Sequence, residues 1–152
     1  MKCQDYSLVS SESRDLLKDN IFAIPNWTDF KLTLYANVTD FYSIEVNNTI
    51  ISSLVSKGLH SFSSEQHVEI MTILTNFIGS CIEENQDELA KYYWRIIKAE
   101  PTTTEHFIHK YFAKYYELLL NYRENASESM ERKIYDLIEF LSFVHASFFE
   151  NM

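Results

Sequence analysis

Apolar residues return every three or four positions along most of this chain, the spacing that gathers them on one face of a helix. From Ser64 to about Glu83, the residues Ile70, Met71, Leu74, Phe77, Ile78 and Cys81 share a face, with His67 near its centre. Ser63 or Ser64 is placed to cap this helix, and Glu65 lies favourably in its electropositive first turn. A shorter helix to about Lys98 follows, opened by Asn85 and Glu88 as a capping box and lined inside by Leu89, Tyr93, Ile96 and Ile97. Pro101 closes it, since neither a proline nor the residue before it continues a helix easily.

One of Thr102, Thr103 or Thr104 then caps a long helix to about Glu124. Its apolar residues, Phe107, Ile108, Tyr111, Phe112, Tyr115, Leu118, Leu119 and Tyr122, spread over roughly 160°, more than a one-sided surface helix needs. Ser127 starts the last helix, with a second broad stripe running from Met130 and Ile134 through Leu137 and Leu141 to His145 and Phe149. The short connection between these two helices predicts that they pair antiparallel. Before residue 60 the pattern is weaker. A helix is expected from about Ser11 to Asn20 and, after Pro25, another from near Asn26; a corner over 37–48 overlaps a helical or partly helical stretch over 41–57, and Gly58 is the stop.

Composition agrees with a single all-α domain over 1–152 without an internal repeat. The 152 residues include two Gly and two Pro, against ten Tyr, eleven Phe and two Trp, so turn chemistry is scarce and bulky apolar surface abundant. A net charge of −9 opposes contact with a polyanion, and no nucleic acid is expected as a partner. The segment Leu137–Phe149 is too short to span a bilayer and holds Glu139 and His145, so no membrane insertion is expected. Behind Lys2 there is no apolar stretch of a secretory signal, which points to the cytoplasm.

Candidate chemistry is sparse. Cys3 and Cys81 have no metal or disulfide spacing, and Cys81 reads as a small buried hydrophobe. There is no Gly-rich phosphate loop and no nucleophile motif, so an enzyme is not expected. His106 and His109 stand three apart, which could serve a metal, but His106 is read on the polar side of its helix and no metal is called. His60 reads as a solvated linker residue. His67 and His145 fall within apolar stripes, either as core histidines with hydrogen-bond partners or as the polar end of an apolar pocket.

The order of elements, with early helices around a proline corner, a long helix at 64–83, a short one at 86–98 and two long antiparallel ones, resembles a globin. The stretch Gln86–Lys98 lacks the iron-binding histidine of a haem globin, so a globin-like fold without haem is implied. More narrowly, Ile24-Pro25-Asn26-Trp27-Thr28-Asp29-Phe30 and the run from Tyr92-Tyr93-Trp94 through His106 to Phe112 resemble non-haem sensor globins, among them sporulation-inhibitory proteins of Bacillus. That resemblance implies a regulatory module that sequesters a fatty acid from a sporulation sensor histidine kinase. It also implies a homodimer through helices near 104–124 and 128–150, which the broad apolar arcs support. The fatty acid is expected in a channel lined by Ile70, Leu74, Phe77, Ile78, Tyr93, Ile97, Phe107 and Tyr111, with His67 or His145 or a tyrosine meeting its carboxylate. A helical adaptor that binds protein and no small molecule is the alternative.

Overall fold

The computed structural model describes residues 10–149, all-helical with no strand among them. In chain order the helices are α1 (Ser11–Ala23), α2 (Asp29–Ala36), α3 (Ile44–Val55), α4 (Ser64–Glu83), α5 (Asp87–Ala99), α6 (Phe107–Glu124) and α7 (Glu128–Phe149). Short 3-10 turns lie at Thr39–Phe41 and Leu59–Ser61. Two compact units divide the chain, Met1–Phe77 and Ile78–Met152, so the boundary falls inside α4.

Helix starts follow side-chain oxygens that take up free backbone N–H groups. Ser10 Oγ accepts from Ser13 N at 3.2 Å, and Ser63 and Gln66 cap α4 reciprocally, each side chain accepting from the other's backbone N–H at 3.2 Å. The second helix begins later than Asn26 because Thr28 is the residue that caps it, accepting from Lys31 N at 3.2 Å. Asn85, expected to open α5, instead ends α4. It adopts φ 56°, with Asn85 N donating to Ile82 O and Gln86 N to Cys81 O, a Schellman closure that asparagine tolerates. Gln86 is left as the N-cap of α5, without a side-chain hydrogen bond.

In the first unit, Leu32, Tyr35, Ile51, Leu54, Ile70 and Leu74 are completely buried. The corner over 37–48 is organised by one side chain. Asn47 accepts from Tyr35 Oη at 2.8 Å and donates through Nδ2 to Thr39 O at 2.8 Å and Tyr42 O at 3.1 Å. Between α1 and α2, Lys31 Nζ donates to Ile24 O at 2.7 Å and lies 4.5 Å from the Trp27 ring centroid.

In the second unit, α5 packs on α6 and α6 on α7. Trp94 Nε1 donates to Ala113 O at 3.0 Å, and Arg123 bridges Asp87 at 2.5 Å and Ile82 O at 2.8 Å. Lys91–Glu124 at 2.6 Å and Lys98–Glu117 at 3.1 Å extend this polar seam along α5 and α6. Among the described residues no helix is long and apolar enough to cross a membrane.

Candidate functional site

Two places concentrate polar chemistry beside apolar surface, one in each unit. In the first unit a half-open cleft of about 150 Å³ is lined by Asp29, Leu32 and Thr33 of α2 and by Glu65, Gln66 and Glu69 of α4. Gln66 spans it, its amide donating to Asp29 Oδ1 at 2.7 Å and to Trp27 O at 3.4 Å. Backbone N–H groups of the helix start and Ser63 Oγ hold the Glu65 carboxyl below its ordinary range. The cleft thus offers carboxylates and an amide above an apolar floor at Leu32. Phe30, next to Asp29 in sequence, is 69% exposed.

In the second unit the elbow over residues 100–110 brings a lysine and two histidines together. Lys110 Nζ donates to Ile97 O at 2.7 Å, to Lys98 O at 2.9 Å and to Glu100 O. An ammonium has three N–H donors, and here three carbonyls at the negative end of α5 receive them. Burial lowers the Lys110 pKa, while Glu100 opposes that shift. His106 and His109 are both buried, against the expectation of a polar-facing His106, because residues 104–106 form a turn ahead of α6, which starts at Phe107, and do not continue its helical face. His106 Nδ1 lies 3.4 Å from Pro101 O, and Thr103 Oγ1 accepts from His106 N at 3.3 Å. Burial first, and then the neighbouring His106, push the His109 pKa down to about 4. No group of three or more His, Cys, Asp or Glu able to hold a metal occurs among the described residues.

Across α6 and α7 runs a row of aromatic rings. Phe107 is 49% exposed and lies 6.1 Å from Tyr111, which lies 4.6 Å from Phe140. Neither this row nor the cleft was evident from helical periodicity, which ranks positions by face and cannot register which polar side chains meet across helices.

The residues expected to line a lipid channel lie in both units. Ile70, Leu74 and Phe77 are buried core residues of the first unit; Ile78, Tyr93 and Ile97 are buried core residues of the second. Tyr111 is half-buried, Phe107 is exposed and His67 is half-buried. The side chain of His145 lies outside the described residues. None of the nine described ones lines the cleft of the first unit.

Residues 2–151 match the family described as the C-terminal domain of the HTH-type transcriptional regulator Rgg. The chain belongs to this family. No solved structure matches it. The match overturns the resemblance to non-haem sensor globins and sporulation inhibitors, and with it the fatty-acid sequestration, the antagonism of a sensor kinase and the alternative of a ligand-free adaptor. The physical reason lies in what carried the resemblance: helix order, a proline corner and a helix without histidine are compatible with many all-helical chains. Pro25, read as a globin corner, sits in an elbow closed by Lys31, and Pro101 sits in one closed by Lys110.

The exclusion of nucleic acid is overturned as well, because the family is one of transcriptional regulators. Net charge reports on the surface that would touch phosphate, whereas a C-terminal domain of such a regulator need not supply that surface. The family match does not bear on the homodimer, which rests also on the broad apolar arcs of the last two helices. Of the residues invoked for it, Phe112, Leu119 and Leu137 are half-buried, and the side chains of Leu141 and Phe148 lie outside the described residues.

Proposed function

We propose that this chain is a regulatory, non-enzymatic domain of a helix-turn-helix transcription regulator, working in the cytoplasm and setting DNA occupancy in response to a bound effector. The observation that carries this reading is the family match over residues 2–151. The acidic composition supports a division of labour in which phosphate contact falls to the helix-turn-helix module. The chemistry of the first unit's cleft supports a short peptide as effector. Asp29, Glu65 and Glu69 offer carboxylates to a cationic end or side chain, and Gln66, which ties Asp29 to the start of α4, holds the cleft's two walls together. In the second unit, α6 and α7 run as an antiparallel pair in this reading, supported by the ring contact of Tyr111, early in α6, with Phe140, late in α7.

Transcript profiling of the native host with and without the gene tests the regulatory reading. A limited set of transcripts should change, and an unchanged profile refutes it. Native mass spectrometry of the purified chain exposed to peptides from conditioned medium tests the effector class. A retained peptide that is lost in Gln66→Ala supports it, and the absence of any retained peptide refutes it.

A further inference from the structure

The first turn of α6 holds two neighbouring residues that grip different helices. Lys110 reaches back to the C-terminal carbonyls of α5, at Ile97, Lys98 and Glu100, while Tyr111 faces Phe140 of α7 at a ring distance of 4.6 Å. Pro101 has no N–H to close the end of α5, so a side chain of α6 supplies donors there. Farther along, α6 is tied to α5 by a separate set of contacts: Trp94 to Ala113, Lys98 to Glu117, Lys91 to Glu124 and Arg123 to Asp87. The elbow end of α6 therefore has its own fastening, distinct from the seam that holds the rest of the helix.

We propose that the Lys110 ammonium is a latch joining the end of α5 to α7 through one turn of α6, so that the elbow and the aromatic contact with Phe140 open and close together. The mechanism is mechanical. When Lys110 leaves the three carbonyls, residues 101–110 pivot about the Trp94–Ala113 bond and Tyr111 moves with them, because it is the next residue on a rigid helical turn. Loss of Phe140 frees the same turn from the other side, and coupling between two sites is reciprocal at equilibrium. Whichever effector the domain takes, the latch carries a local event at one helix end to another helix.

Hydrogen exchange of the full chain, read by mass spectrometry, tests it. Lys110→Met should speed exchange several-fold in 98–110 and also in 134–142, while 114–124, held by the seam, keeps its protection. Phe140→Ala, on α7, should speed exchange in 98–106. Lys114→Met, which removes an ion pair within α6, should leave both segments unchanged. If Lys110→Met does not fold, Phe140→Ala decides alone. Deprotection confined to the mutated side in either variant overturns the latch, as does a uniform acceleration that includes 114–124.

Discussion

Asn47 is the best place to measure what holds the first unit together. It is 3% exposed and makes three hydrogen bonds: one accepted from the Tyr35 hydroxyl and two donated to the carbonyls of Thr39 and Tyr42. Asn47→Leu keeps the volume and removes all three. Each lost bond is worth about 1 kcal/mol net, and a buried group left without a partner costs about 1–3 kcal/mol. Tyr35 is completely buried, so its hydroxyl loses the Asn47 acceptor away from water. The carbonyls lie in a corner that can shift toward water, so their share is smaller. The sum is a loss of about 3 kcal/mol. Tyr35→Phe, which deprives Asn47 of one donor only, should cost about 1 kcal/mol. In the double variant the bond they share is already gone, so adding Tyr35→Phe to the Asn47→Leu variant should cost less than Tyr35→Phe alone.

Urea denaturation followed by far-UV circular dichroism and by tryptophan fluorescence measures these differences, the latter reporting Trp27 from the first unit and Trp94 from the second. Equal, additive losses for the two single variants would refute the network as the organiser of the corner. Asn47→Asp gives a second check with a definite sign. A carboxylate facing two carbonyls in a buried site has its pKa raised above the unfolded value of about 3.9. The native state then binds more protons than the unfolded state, so stability falls as pH rises from about 4 toward the raised folded pKa. A stability that rises with pH over that window contradicts the assigned carbonyl contacts.

A Cβ on Gly79 would stand 2.9 Å from Tyr116 Oη, so Gly79→Ala should gain little or lose stability despite a helix preference for Ala of about 1 kcal/mol, and the full gain should return in the Tyr116→Phe background; urea midpoints decide it. Lys31→Met strands Ile24 O and removes the contact with Trp27, for an expected loss of about 1–2 kcal/mol and a shifted Trp27 emission. The depressed His109 pKa means that the unfolded state binds the extra proton between pH 4 and 6.5, so stability should rise with pH across that window and His109→Gln should flatten the rise, as seen in urea midpoints against pH.

Helix existence was legible because the apolar faces of α4, α5, α6 and α7 are long and regular; the expected limits 64–83 coincide with those of α4. Several starts were legible at serine caps, at Ser10, Ser63 and Ser127, but not at Thr28, which caps α2 beyond the expected start near Asn26. They failed where the chain uses another device. Asn85 looks like an N-cap in sequence because asparagine serves both as a cap and as a left-handed stop, and only the backbone chooses. His106 was misplaced because a wheel extended back through 104–106 assigns it a face, whereas those residues form a turn. The cleft was illegible for a different reason: Asp29 and Gln66 are 37 positions apart, and no periodicity joins them.

The same scarcity of glycine that announced a helical chain also shapes its corners. A helix end needs donors for its last carbonyls, and glycine in the left-handed conformation is the common way to supply them from the following backbone. This chain does so with glycine at Gly58, where φ is 79°, and with asparagine at Asn85. At the two X-Pro ends, Ile24-Pro25 and Glu100-Pro101, the cap residue is extended and the proline has no N–H, so the left-handed solution is closed. A lysine from the next helix takes over in both places, Lys31 for α1 and Lys110 for α5. Such a closure differs from a glycine one in kind. A backbone closure is fixed once the helix forms, whereas a side chain can leave its acceptors without unfolding either helix, at the cost of the bonds it made. Lysine-closed elbows therefore combine a defined native angle with a local means of release.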